Sequence, residues 1–268
     1  MTQNFVRRLL AQPDLQGSPA VLLFGGPYVI INGSRLEVPE GSKRLLVFVA
    51  LANSTVDRRY AAGSLWPTVT DERAAGNLRS ALWRLRGAGI DLVDTDKQGL
   101  MLRPGTIVDV SVVWEWSRRL TDGTATQDDL CAVNWRNTSI DLLPGWYEDW
   151  IIFECERIRQ RLMHALETLS RQLAAAGRFT EAVEAAISAV SADPLRESAN
   201  RVLIEAHLAE GNLIEARRAY ERYGEIVGRE LGVRPGEELR ELLRDGYSRR
   251  DAGDEIAQAG VLTARRTA

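Results

Sequence analysis

The feature that most limits the possible folds is a match of the chain with itself, 34 residues apart. Residues Ala176–Ala182 align with Glu210–Ala216, with glycine second and Glu-Ala last in both segments. This period is typical of tetratricopeptide repeats, in which each repeat is a pair of helices. We expect one helix to end at each of these glycines and the next helix to begin there. The repeats should stack through small residues, namely Ala182, Ala186, Ala216 and Ala219.

The first hundred residues have a different pattern, in which short β-like runs alternate with helical segments. The β-like runs are residues 21–24, 28–31 and 36–38, followed by a second hairpin over 92–102. Asn-Gly between two apolar runs, as at residues 32–33, is a strong hairpin signal. The helical segments are residues 43–52 capped by Ser42, 58–65 capped by Asp57, and 71–86. Three strands, three helices and a hairpin in this order predict a winged helix-turn-helix.

The charges of the chain are unevenly distributed. Residues 43–103 contain ten Lys and Arg against six Asp and Glu, a net charge of +4, whereas the remainder of the chain carries −7. A basic N-terminal region joined to an acidic C-terminal region favours an acidic partner, such as double-stranded DNA, for the first part. Ordinary scatter of charges over two solvated surfaces is the alternative.

The third N-terminal helix has two distinct faces. Leu78, Leu82 and Leu85 share one face with Ala74 and Ala81, and this face is predicted to be buried. A separate stripe carries side chains that can bond to base edges in the major groove: Arg73, Asn77, Ser80 and Arg84. Further cations are candidates for phosphate contacts, namely Lys43, Arg44, Arg58, Arg59, Arg79, Arg86 and Lys97. A surface helix that is merely solvated would look similar when taken alone.

Several motifs, taken in order, resemble the SARP (Streptomyces antibiotic regulatory protein) family. LWP at residues 65–67 and RAAGNLRSALWRLR at 73–86 resemble the DNA-binding helix region of that family. LLPGWYEDW at 142–150, with ERIR at 156–159, resembles the start of its bacterial transcriptional activator domain. LGVRP at 231–235 resembles the late motif of that domain.

The resemblance implies a mainly α protein with a small β component. It implies an OmpR-like winged helix-turn-helix over residues 19–108 and an all-α tetratricopeptide-like activator domain over 109–248, with tails at 1–18 and 249–268. Such a protein binds promoter direct repeats, contacts RNA polymerase through its sigma subunit and can form a homodimer. Residues 84–86 match the part of the recognition helix that contacts DNA, and Trp83 stands where many relatives have a basic residue. The polymerase-facing loop would include Trp66, Pro67, Thr68 and Asp71.

Other classes of function are less well supported by the residues. No histidine or cysteine spacing suits a metal, and no nucleophile motif or phosphate loop is present, so we expect neither an enzyme nor a cofactor or metal site. The longest apolar run has eight residues, and a membrane span needs about 20, so we expect no span. Two cysteines form no disulfide framework, so we expect a reducing, cytoplasmic setting. The alternative function is a tetratricopeptide adaptor or scaffold whose N-terminal domain does not bind DNA.

Overall fold

The computed structural model describes residues 17–52, 54–97, 99–130 and 142–246. The chain divides into two compact units, which are described separately. The first unit comprises Met1–Arg119 with Asn137–Leu162, and the second comprises Leu120–Arg136 with Met163–Ala268. The predicted tails lie outside the described residues, apart from residues 17 and 18. No described helix combines the length and the apolar character that a membrane crossing requires.

Two small sheets frame the first unit. One sheet has the order β3-β2-β1-β7 and is formed by β1 (Ala20–Leu22), β2 (Tyr28–Ile31), β3 (Ser34–Glu37) and β7 (Ile107–Val108). The other has the order β4-β6-β5 and is formed by β4 (Val56–Asp57), β5 (Val93–Thr95) and β6 (Gly99–Leu102). All pairings are antiparallel except that of β1 with β7. The two predicted hairpins are present, and both Asn32 and Gly33 have positive φ, as a tight turn requires.

Three helices lie between these strands in the chain: α1 (Glu40–Ala52), α2 (Arg58–Leu65) and α3 (Asp71–Gly87). The prediction that Asp57 caps α2 is confirmed, since its carboxylate accepts the Tyr60 amide at 2.8 Å. The prediction that Ser42 caps α1 is wrong. The helix begins two residues earlier, directly after Pro39, and the Ser42 hydroxyl is buried within it. Proline favours this placement because its fixed φ suits the chain entering a first helical turn.

A buried carboxylate joins the beginning and the end of the N-terminal region. Asp109, the first residue of α4 (Asp109–Thr121), is fully buried. Its Oδ2 accepts the backbone amides of Leu23 and Phe24 at 2.8 and 3.0 Å, and its Oδ1 accepts the amide of Val110 at 2.8 Å. Burial raises the pKa of Asp109 to about 7, although the amide bonds oppose the shift. This side chain therefore fixes the start of α4 against the chain that follows β1.

The segment that follows residue 141 also belongs to the first unit. Leu142 forms a bridge with Phe24, and the Leu143 amide donates to the Leu23 carbonyl at 3.1 Å. Further along, the Trp150 ring meets Phe48 of α1 edge-on at 5.3 Å between centroids. The bounds of the two compact units therefore differ from the predicted domain boundary between residues 108 and 109. That boundary stays a prediction about which parts of the chain fold alone.

The second unit is built from helices. The helix α5 (Asp149–Ala175) begins in the first unit and ends in the second. It is followed by α6 (Phe179–Ala192), α7 (Glu197–Ala209), α8 (Leu213–Leu231) and α9 over residues 237–246. The repeat prediction is confirmed at both matches: Gly177 and Gly211, each with positive φ, separate α5 from α6 and α7 from α8. Only glycine enters this conformation without strain, so the repeated glycines end these helices.

Small side chains line the interior of the repeat stack, as predicted. The four alanines expected at the contacts are all buried, and three of them belong to one apolar cluster with residues of α7 to α9. Glu167 of α5 is also nearly buried and accepts bonds from Arg196 Nε at 2.6 Å and Ser198 Oγ at 2.7 Å. These bonds satisfy the buried carboxylate and connect α5 to the start of α7.

The raised pKa of Asp109 predicts a pH dependence of stability. Between about pH 4 and pH 7 the native carboxyl retains a proton that the unfolded chain has released. The stabilisation from this group is therefore complete below pH 4 and is lost as the pH rises through 7. Unfolding free energies measured in denaturant from pH 4.5 to 8 should show it, with a slope of at most about 1.4 kcal/mol per pH unit. Asp109→Asn should lack this component, and parallel curves for the two proteins would contradict the assignment.

Because Ala216 is fully buried in the repeat stack, a large charged substitution there should strongly destabilise the fold. Ala216→Arg forces an unpaired charge into the apolar cluster and should cost about 3 kcal/mol or more of the unfolding free energy. Ile214→Arg is the matched control, because it places the same side chain on the same helix at a residue that is 65% exposed. Thermal denaturation followed by circular dichroism should show a large decrease in Tm for the first variant only. Equal Tm values would show that the repeat register is wrong.

Candidate nucleic-acid interface

The helix α3 is held in the first unit by the face predicted to be buried. Leu78, Leu82 and Leu85 are buried together with Ala74 and Ala81. Their spacing of three and four residues places them on one side of the helix, so the opposite side faces solvent along its whole length. With 17 residues, α3 is about 25 Å long, enough to follow the major groove through one binding site.

A hydrogen bond between two helices sets the position of α3. The Ser42 hydroxyl of α1 donates to the Ala81 carbonyl of α3 at 2.8 Å, and both residues are fully buried. Such a bond forms only when the two helices approach closely, and small residues on both sides permit this. The side chains on the outer face of α3 are therefore presented by a rigid support.

The stripe predicted to read bases lies on the solvent side of α3. Arg73, Ser80 and Arg84 are exposed, and Asn77 is half-buried. Arg84 lies over the first turn of α1, because a Cβ added at Gly41 would stand 2.7 Å from its Nη1. Glycine at position 41 thus leaves room for the Arg84 guanidinium. The structure places the four residues on one side of the helix, and their role in reading bases stays a prediction.

A groove with basic walls runs between α2, α3 and the tip of the second hairpin. The groove has a volume of about 600 Å³ and carries four of the predicted phosphate contacts, namely Arg58, Arg59, Arg79 and Lys97. The Arg58 Nη1 atom donates to the Asp96 carbonyl at 3.4 Å, which connects α2 to the hairpin tip. Asp71 and Glu72 also line the groove and lie in the first turn of α3, where the helix dipole favours acidic side chains.

The remaining three phosphate candidates are held by carboxylates. Lys43 pairs with Glu40 at 2.6 Å, Arg44 with Glu148 at 2.6 Å and Arg86 with Asp91 at 3.6 Å. Across the described ranges, six candidates form no ion pair: Arg58, Arg59, Arg73, Arg79, Arg84 and Lys97. A cation that is free of carboxylates keeps its full charge for a phosphate or a base, whereas a paired one must first give up its partner. The sequence pattern did not separate these two groups.

The predicted polymerase-facing loop is the turn between α2 and α3. Pro67 and Thr68 are exposed, Trp66 is half-buried, and Asp71 is the exposed first residue of α3. The Trp66 amide donates to the Ala62 carbonyl at 3.0 Å, which continues α2 by one bond before Pro67 ends it. The loop is thus short and anchored at both ends, and its role stays a prediction.

One exposed residue of α3 was not part of the predicted stripe. Trp83 is 74% exposed, and it is the only tryptophan in the described part of the chain that is mainly exposed. At about 100° per residue, Trp83 lies on the side of α3 away from the buried face, about 40° from Arg79 and about 100° from Arg84. The predicted stripe consists of side chains that form hydrogen bonds with base edges, and Trp83 is not among them. Its position relative to the buried leucines could have identified it.

Among the described residues there is no cluster of His, Cys, Asp or Glu that could hold a metal ion. Cys155 is a free thiol, whereas Cys131 lies outside the described residues. The arrangement of the first unit therefore consists of a supported helix with an exposed cationic face and a basic groove beside it.

Comparisons with known proteins give two positive results. Residues 123–245 match the family model described as the bacterial transcriptional activator domain. The structure is similar to that of Mycobacterium tuberculosis EmbR, solved in complex with a low-affinity phosphopeptide, with a TM-score of 0.60 and 18% sequence identity. The similarity covers 92% of this chain and 70% of the EmbR chain. None of the curated proteins matches the chain significantly.

The two results agree with the fold and with the motifs. The match with EmbR concerns the fold alone, and it spans both the sheet-containing first unit and the helical second unit. The family match covers the helices that carry the repeat. The motifs at residues 142–150, 156–159 and 231–235 lie within the matched range. Residues 123–245 are thus similar to the bacterial transcriptional activator domain, and the chain shares the fold of EmbR over 92% of its length.

Proposed function

We propose that the chain is a transcriptional activator that binds double-stranded DNA sequence-specifically through α3. The observation that carries the proposal is the set of six cations without ion pairs on α2, α3 and the hairpin tip. Guanidinium groups bond to guanine through two donors, and Asn77 can bond to adenine in the same way. The buried face of α3 leaves these side chains on a rigid outer face, as reading a groove requires.

The two groups of cations have different roles in this proposal. Arg73 and Arg84, with Asn77 and Ser80, would contact base edges in the major groove. Arg58, Arg59 and Lys97 stand away from α3 on α2 and the hairpin tip, and they would contact phosphates on either side of the groove. Lys43, Arg44 and Arg86 would join them only after leaving their carboxylates.

The resemblance to SARP regulators supports the finer parts of the proposal. The chain would act in the cytoplasm, bind direct repeats near a promoter and contact the sigma subunit of RNA polymerase through residues 66–71. Two copies on adjacent repeats would form a homodimer supported by the helical unit. The adaptor alternative predicts instead that the first unit has no preference for DNA, and the substitutions below distinguish the two.

Substitution of a base-contacting residue and of a phosphate-contacting residue should change DNA affinity in different ways. Arg84→Ala should weaken binding to the cognate DNA by about 1–3 kcal/mol and relax the preference at one base pair. Arg59→Ala removes the same charge from an exposed residue without breaking an ion pair. It should weaken binding to all sequences alike and reduce the slope of log K against log salt by about 0.9. Fluorescence anisotropy with cognate and scrambled duplexes over a salt series measures both effects.

The outcome that contradicts this assignment is equally specific. If both variants lose the same factor on both duplexes, α3 does not read the sequence. A wild-type salt slope near zero would remove the DNA-binding proposal itself and favour the adaptor alternative, because phosphate contacts by Arg58, Arg59, Arg79 and Lys97 predict a slope of about −3.6. Binding should be tested with the full chain and with DNA taken from upstream of the neighbouring genes.

If the loop between α2 and α3 contacts RNA polymerase, substitutions in it should reduce transcription without changing DNA affinity. The double substitution Pro67→Ala and Thr68→Ala changes exposed atoms only, so DNA affinity should stay the same. Transcription in vitro from the cognate promoter should fall by about fivefold, equivalent to the loss of about 1 kcal/mol of polymerase contact. Pro104→Ala, at another exposed turn of the same unit, is the control. Unchanged transcription would exclude this loop as the polymerase contact.

A further inference from the structure

We infer that Trp83 is a specificity-determining residue that contacts the C5-methyl group of a thymine in the major groove. This inference rests on the proposed function, because it assigns a ligand to a residue of the same helix. Trp83 is the one large uncharged side chain on the outer face of α3. It would recognise an apolar methyl group, whereas arginine and asparagine recognise hydrogen-bonding groups.

The position of Trp83 within α3 is the first observation. The buried residues Leu78, Leu82 and Leu85 define the inner side of the helix. At about 100° per residue, Trp83 lies about 130° around the helix from the middle of that side, and its side chain therefore points to solvent. Gly76, two turns earlier, falls next to it and has no side chain. This side of α3 therefore carries one large apolar side chain, the indole ring, and the Arg79 guanidinium lies beside Gly76, with Nη2 3.8 Å from the position of a Cβ there.

The exposure of Trp83 is the second observation. The ring is 74% exposed, and the structure records no hydrogen bond, ring contact or cation–π contact for it within the described residues. The other described tryptophans are all half-buried or buried, and three of them contact aromatic rings edge-on or lie under an arginine side chain. Leaving an indole in water forfeits the stabilisation that burial provides. A bound surface that covers the ring would recover it.

The chemistry of the major groove identifies what the ring can meet there. Base edges present hydrogen-bond donors and acceptors, and the thymine C5-methyl is the apolar group among them. Indole offers an apolar face and edge to such a methyl group. The ring carries no charge, so it adds little to phosphate binding. The contribution of Trp83 should therefore depend on sequence and not on salt.

The experiment uses a duplex that the full chain selects from a random-sequence pool. Each thymine of the selected duplex is replaced in turn by deoxyuridine, which removes only the C5-methyl. At one position in each half-site, the wild-type chain should bind about fourfold more weakly, the value for one buried carbon group. Trp83→Ala should show the weaker binding already with the unmodified duplex and no further loss with deoxyuridine. The salt slope should equal that of the wild type.

Two further variants keep the result interpretable. Trp83→Phe retains an apolar ring and should keep a deoxyuridine effect at the same position. Phe153→Ala removes an aromatic residue that is 80% exposed but lies on α5, and it should bind as the wild type does. Because Trp83 is mainly exposed, its variants should melt at the wild-type temperature, which circular dichroism verifies.

Three results would overturn the inference. The first is a selected duplex that contains no thymine within the half-site, and the second is a wild-type chain that is indifferent to every deoxyuridine. The third is a Trp83→Ala variant that retains the full deoxyuridine penalty, since another residue would then contact the methyl. A pool from which the wild-type chain enriches no sequence would instead refute the proposed function, and this is seen before any Trp83 variant is tested.

Discussion

The structure of the first unit depends on the close contact between α1 and α3. Five apolar residues of α3 are buried, and the Ser42 hydroxyl bonds to the Ala81 carbonyl across the contact. A helix can present to a ligand only the side that it does not bury. The contact therefore decides which side chains of α3 face solvent, and Gly41 of α1 leaves the space in which the Arg84 guanidinium lies.

Hydrogen bonds between segments that are far apart in sequence also hold the first unit together. The buried Asp109 carboxylate accepts two amides that follow β1, and β7 pairs with β1 in parallel just before it. A carboxylate in this setting is stabilised by its amide bonds and destabilised by burial, and burial prevails in its pKa. The helical unit relies instead on repeated small residues such as Ala216, which let neighbouring helices approach closely.

The candidate interface was predictable in outline and not in detail. The periodicity of Leu78, Leu82 and Leu85 predicted the buried face, and the arginines predicted a cationic outer face. The pairing of Arg44 with Glu148 could not be predicted, because the two residues are far apart in the chain and meet only through the fold. The exposure of Trp83 follows from the helical periodicity, because this residue lies away from the buried leucines of α3.

The sequence by itself determined the order and type of the elements and the repeat. These properties depend on local patterns: glycines at helix ends, Asn-Gly at a hairpin, the Asp57 cap and a period of 34 residues. Only the tertiary structure decided that Ser42 bonds between helices and that Asp109 holds the chain after β1. It also decided which cations remain free of carboxylates. The physical reason is that the bonds of Ser42 and Asp109 and the pairing of Arg44 with Glu148 join residues distant in sequence, where no local pattern specifies the partner.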